Sequence, residues 1–126
     1  MDAIEKIMRT APVIPVLVID DAAYARSIAE ALVAGGLPVL EVTLRTAAAL
    51  DAIAEMKKVP GAIVGAGTVV DVPGLECAIA AGAEFIVSPG LTDNLGKAAT
   101  TKGIPFLPGI ASAGDIMRGL DLGLTH

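Results

Sequence analysis

Aromatic residues are nearly missing from this sequence: there is no Trp, one Tyr and two Phe, 2% of 126 residues. Without rings there is no platform for base stacking. Nine Lys and Arg, set thinly against fourteen Asp and Glu for a net charge of −5, make no basic face for a phosphate backbone. Nucleic acid is therefore not an expected partner. Cysteine is reduced to Cys77, which rules out a disulfide framework, and its surroundings suit neither a nucleophile nor a metal ligand, so it is read as a small core residue. Histidine is reduced to His126 at the very end, a poor position for a base or ligand. No metal and no cofactor is expected. No apolar run reaches the roughly 18 residues that span a bilayer. Met1 to Lys6 has no cationic region leading into an apolar one. The expectation is no membrane and a cytoplasmic location.

What the sequence does hold is small aliphatic residues. Hydrophobic residues make up 54% of it and the mean hydropathy is +0.71, mostly Ala, Val, Ile and Leu, with 14 Gly and 8 Pro. This suits short buried strands covered by alanine-rich helices, and the length allows one α/β domain over residues 1–126. The run PVIPVLVI at 12–19 is β-branched and apolar on both faces, the pattern of a strand covered on both sides. After it, Asp20 or Asp21 can cap an alanine-rich helix that Gly35 and Gly36 stop.

The same grammar then repeats. Gly36, Gly61, Gly82, Gly103 and Gly123 each restart a strand, a small or polar loop and a helix, at spacings of 25, 21, 21 and 20. The strands are predicted at Val13–Ile19, Val39–Thr43, Ile63–Ala66, Phe85–Ser88 and Phe106–Pro108. Helices are predicted at Asp2–Arg9, Ala47–Lys58, Val72–Ala81, Asp93–Lys102 and Ser112–Leu122, with Asp71, Thr92 and Ser112 as N-caps. Serial βα units with right-handed crossovers give either part of a (β/α)8 barrel, with about five of its eight strands, or an open flavodoxin-like parallel sheet; the regular short units favour the barrel. The period places a further strand at about residue 126, where the sequence stops, so the chain is expected to be the N-terminal part of a longer protein, or a deliberate fragment of one.

Functional groups in parallel α/β sheets gather at the carboxyl ends of strands. Here those ends carry Glu41, Thr43 and Arg45, then Gly65, Gly67 and Thr68, then Ser88, Pro89 and Gly90, then Pro108 and Gly109. Such a small, polar, glycine-rich set suits a compact anion. Arg45 offers a fork that matches a carboxylate, Thr68 adds a hydroxyl, and a desolvated Glu41 can move a proton near neutral pH. The alternative at this level is a structural Glu41–Arg45 ion pair with Thr68 as a cap or turn residue. The GAGT loop at 65–68 lacks the lysine of a phosphate loop, and no G-x-G-x-x-G follows the first strand, which weakens a nucleotide-binding reading. Lys57 and Lys58 fit the end of a helix, where cations complement the dipole.

Taken together, ALVAGGLPVLEVTLRT, AIVGAGTVV, FIVSPGLT, FLPGIAS and GLDLGL, in this order, closely resemble the 2-keto-3-deoxy-6-phosphogluconate (KDPG) aldolase family, also called KHG/KDPG aldolases. The resemblance implies a class I, Schiff-base aldolase on a TIM barrel, usually a trimer, cleaving KDPG to pyruvate and glyceraldehyde 3-phosphate in Entner-Doudoroff sugar-acid breakdown. It implies that Glu41 transfers protons, that Arg45 and Thr68 hold the pyruvate carboxylate, and that Pro89 lines the pocket. It also places the imine-forming lysine on a sixth strand past His126, with the phosphate-binding glycines and serine further on. Lys6, Lys97 and Lys102 are away from the predicted strand ends, so the chain alone is expected to form no imine. The expected partners are a 2-keto acid and further copies of the chain.

Overall fold

In the computed structural model, which describes residues 1–126, five parallel strands form one sheet in the order β1-β2-β3-β4-β5. They are β1 (Val16–Leu17), β2 (Val39–Thr43), β3 (Ile63–Gly67), β4 (Ile86–Ser88) and β5 (Phe106–Pro108). Six helices accompany them: α1 (Ala3–Thr10), α2 (Ala25–Ala34, preceded by a 3₁₀ turn at Ala22–Tyr24), α3 (Ala49–Met56), α4 (Val72–Ala81), α5 (Asp93–Lys102) and α6 (Ala113–Asp121). An open flavodoxin-like sheet would set its first strand between the second and third. The strictly sequential order, with α2, α3, α4 and α5 packed each on the next, is instead the winding of a barrel.

Local chemistry explains the units. Asp2, Asp71, Thr92 and Ser112 each accept a hydrogen bond from a backbone N–H three residues on, opening α1, α4, α5 and α6, and Asp21 does the same for Ala23 at the 3₁₀ turn. The five glycines of the repeat all have positive φ, between 65° and 100°, the left-handed stop that lets the chain turn from each helix into the next strand. Two helices lack a side-chain cap of their own: α2, which continues the capped 3₁₀ turn, and α3, which starts at Ala49 rather than Ala47 because residues 44–48 form a turn tied down by the Thr46 hydroxyl, which donates to the Ile19 carbonyl.

Alternation along the strands separates two faces. Leu40, Val42, Val64, Ala66, Ile86 and Phe106 meet the helices, where Ala25, Ala29, Ala52, Ile53, Met56, Leu75, Ala78, Leu95 and Ala99 complete the main core. The other face is floored by α1, whose Ile7 packs with Ala11, Val39 and Phe85.

Two expectations are corrected here. The stretch 13–19 is not a strand covered on both sides: only Val16 and Leu17 pair with β2, and Val13, Val16 and Val18 are exposed, because β1 is an edge strand; Leu17 and Ile19 reach the main core, and on the α1 side Ile14 alone of these residues packs, half-buried, on the smaller cluster. Cys77 is exposed, since on α4 it points away from the Leu75 and Ala78 side that meets the sheet. No helix is long and apolar enough to cross a membrane.

Candidate functional site

The carboxyl ends of β2, β3 and β4 lie side by side, and they bring the four residues singled out in the sequence onto one end of the sheet. Register pairs Glu41 with Gly65 and Thr43 with Gly67, so Glu41 projects from the α1-covered face of β2 next to the bare backbone of β3. Thr68 directly follows β3 and Pro89 directly follows β4. With strands about 4.8 Å apart, the row from β2 to β4 is about 10 Å wide, a span that fits a small organic anion.

Glu41 is 9% exposed, and burial pushes its carboxyl above the ordinary 4.5, with the Arg45 guanidinium pulling it part of the way back. Its oxygens have no hydrogen-bond partner within the chain, so the proton-holding state is set by desolvation and by that one cation. Arg45 itself is exposed and joins none of the seven ion pairs. The structural Glu41–Arg45 pair that the spacing allowed is therefore not formed, and the guanidinium fork is free.

Thr68 is the single non-glycine residue with positive φ, 57°. A β-branched side chain in the left-handed region is strained, and strain of this kind concentrates where a side chain has to be aimed. Its hydroxyl bonds to nothing in the chain, and Asp71, not Thr68, caps α4. Pro89 is held by its surroundings: the buried Ser88 hydroxyl donates to the Gly90 carbonyl at 2.7 Å, and Gly109 N–H donates to the Ser88 carbonyl at 2.7 Å. A side chain on Gly109 would strike the Pro89 carbonyl, so this glycine is what lets β5 close against the turn. Thr43, fully buried, has a structural part here, donating to the Leu17 carbonyl at 3.0 Å and fastening β1 to β2.

The other polar residues weighed in the sequence lie elsewhere. His126 stands beside Thr125 and Asp2, Lys58 pairs with Glu55, and Lys102 pairs with Glu76. No strand contains a lysine. What the sequence did not disclose is how Gly67 serves Glu41: nothing in a GAG tripeptide says which neighbour fills the space left by the missing side chain.

The shelf of Glu41, Arg45, Thr68 and Pro89 is open, and none of the four cavities in the molecule is lined by these residues. A family model described as KDPG and KHG aldolase matches residues 4–126. A 2-dehydro-3-deoxy-phosphogluconate aldolase of Zymomonas mobilis is 63% identical over 126 residues, all of this chain and 61% of that protein. The crystal structure of the 2-keto-3-deoxy-6-phospho-gluconate aldolase from Zymomonas mobilis ATCC 29191 superposes with a TM-score of 0.94 at 64% identity, covering 96% of this chain and 59% of that one. The KDPG aldolase of Legionella pneumophila, solved with pyruvate captured as a covalent carbinolamine intermediate, gives 0.93 at 42% identity, covering 99% and 61%. The chain thus spans about three fifths of the length of the relatives it matches. With the family model matched across nearly all of its residues and the same winding of strands in its solved relatives, the chain belongs to the KDPG and KHG aldolase family.

Proposed function

We propose that this chain carries the proton-transfer and carboxylate-binding half of a class I aldolase site that cleaves 2-keto-3-deoxy-6-phosphogluconate to pyruvate and glyceraldehyde 3-phosphate. The observation that carries the reading is a buried carboxyl of raised pKa, Glu41, beside an unpaired guanidinium, Arg45, at the carboxyl end of one sheet. Arg45 takes the keto-acid carboxylate in two-point fashion, and the Thr68 hydroxyl donates to the same group. Pro89 walls the pocket on the β4 side without competing as a donor.

In this chemistry a lysine imine on the keto carbon is the electron sink. The bond between C3 and C4 breaks, its electron pair moves into the enamine, and the C4 hydroxyl becomes the aldehyde as it gives up its proton. Glu41 takes and returns the protons of these steps: from the C4 hydroxyl on cleavage, to C3 of the enamine on release of pyruvate, and to the carbinolamine hydroxyl that leaves as water. The pyruvate carbinolamine of the Legionella relative is in keeping with this route.

The imine-forming lysine is, in our reading, not among the five lysines here, which all lie on helices or in the turn after α3. Alone, the chain is then a non-catalytic α/β fragment of such an aldolase, one domain over residues 1–126, cytoplasmic, and homo-oligomeric, a trimer by the family resemblance. The test is a lactate-dehydrogenase-coupled aldolase assay on this chain and on a chimera that continues it with the remaining part of the Zymomonas relative. Turnover confined to the chimera, with borohydride trapping pyruvate only there, is the expected result. An adduct on any lysine of residues 1–126, or equal turnover by both proteins, overturns it.

A further inference from the structure

Two positions on the α1-covered face of β3 have no side chain, and each gap is filled from a different neighbouring strand. A Cβ on Gly65 would stand inside the Phe85 ring, at the head of β4, and a Cβ on Gly67 would collide with Oε1, Cδ and Cγ of Glu41, from β2. Backbone conformation does not ask for glycine at either place, since the left-handed glycines are Gly36, Gly61, Gly82, Gly103 and Gly123. Glycine inside a strand weakens it and marks close approach of another group. At position 67 the three nearest atoms all belong to the Glu41 side chain, so the approaching group is identified.

We propose that Gly67 is a positioning residue: its bare α-carbon is the slot in which the Glu41 carboxyl lies across β3, beside Thr68, and any side chain at 67 turns that carboxyl out of the slot. The catalytic importance of the slot rests on the proton-transfer role proposed for Glu41; the slot itself does not. The Phe85 ring over Gly65 lies one inward position below, with Val39 and Ile7 packed around it, so the carboxyl sits above an apolar floor. Of the charged groups, Arg45 alone acts on Glu41. Turning the carboxyl out restores its hydration, and the ordinary affinity for a proton returns with it.

The test uses this chain and needs no turnover. The Glu41 side-chain carboxyl is titrated by ¹³C NMR in the wild type, in Gly67→Ala, and in Gly96→Ala, whose added methyl meets Leu122 and Leu91 far from Glu41 and controls for plain loss of stability. The expected result is that Glu41 titrates above the ordinary range in the wild type and in Gly96→Ala, and moves down toward 4.5 in Gly67→Ala. An unmoved Glu41 titration in Gly67→Ala overturns the inference.

Urea unfolding supplies the second arm: Gly67→Ala lowers the midpoint in the wild-type background and leaves it unchanged in Glu41→Ala. Equal losses in both backgrounds also overturn the proposal, because the methyl would then be meeting the backbone. Where Gly67→Ala does not fold, the double variant decides: folding restored by Glu41→Ala supports the slot, and folding not restored rejects it. A Glu41→Gln chimera that keeps full turnover, alongside the expected titration shift, would refute the proton-transfer reading and leave the slot standing.

Discussion

Thr68 offers the sharpest quantitative test of whether the site is maintained against stability. A left-handed conformation costs an L-residue about 1–2 kcal/mol, and Thr68 holds it at φ 57° with a half-buried side chain that bonds to nothing. Thr68→Gly removes that strain but restores about 0.4–1 kcal/mol of freedom to the unfolded chain. It also gives up roughly half of a methyl's burial, about 0.4 kcal/mol. These nearly cancel, so Thr68→Gly is expected within about 0.5 kcal/mol of the wild type, where glycine for a half-buried threonine in ordinary extended backbone would lose about 1 kcal/mol or more. Thr68→Asn, which tolerates the left-handed region and keeps the unfolded chain restricted, is expected to gain about 0.5 kcal/mol. Thr68→Val keeps the branch and the strain, removes only the hydroxyl, and is expected within about 0.5 kcal/mol. Urea unfolding followed by circular dichroism, at constant m-value, measures all three. Losses above about 1.5 kcal/mol in both Thr68→Gly and Thr68→Asn would show that the side chain holds the fold, and the argument from strain to ligand would fail.

The remaining expectations concern Glu41, Arg45 and Phe85. Because burial raises the Glu41 carboxyl, the folded chain holds that proton more tightly than the unfolded one; the resulting stability is fully present below the unfolded value and is lost as pH rises through the raised folded one. Glu41→Gln is therefore expected to match the wild type near about pH 4 and to exceed it at about pH 7, and urea midpoints that differ equally at both pH values would contradict the burial of the charge. Arg45→Ala, an exposed residue with no partner, is expected to change stability by less than about 0.5 kcal/mol while pyruvate binding, followed by saturation-transfer NMR in the chimera, falls about tenfold or more. Phe85→Ala empties the space over Gly65 and is expected to lose about 3–5 kcal/mol in urea unfolding, enough to unfold a marginal chain.

The repeat was legible because glycine leaves a mark that composition does not blur: α2 to α6 are each followed by a left-handed glycine, Gly36, Gly61, Gly82, Gly103 and Gly123, whereas α1 passes into β1 through extended Ala11. Strand ends were legible for the same reason, and they carried Glu41, Arg45, Thr68 and Pro89 to one end of the sheet. Coverage was not legible. A run of β-branched residues reads alike whether one face or two are packed, so residues 13–19 looked like a central strand and are an exposed edge. Cys77 stood in an alanine-rich helix where the apolar pattern is nearly uniform, and only the packing of Leu75 and Ala78 decided which side faced the sheet. The Glu41 carboxyl over Gly67 and the left-handed Thr68 depend on neighbours 26 residues apart in the chain or on a single dihedral angle, and no spacing rule reaches either.

The strictly sequential sheet has a consequence for synthesis. Every register pair joins residues 20 to 25 positions apart, so each βα unit hydrogen-bonds only to the one made just before it. The sheet has no need to wait for distant partners, although α1 has to wait for Phe85 of the fourth unit, and the local strand pairing favours rapid, stepwise folding. At about 5–20 residues per second on the ribosome, these 126 residues emerge over roughly 6–25 s. Glu41 arrives with the second unit, Thr68 with the third and Pro89 with the fourth, but the Glu41 carboxyl meets Gly67 only when the third unit follows, and the turn at Pro89 meets Gly109 only with the fifth. This end of the sheet is thus completed one unit at a time, each new strand closing on the residues that the one before it left exposed.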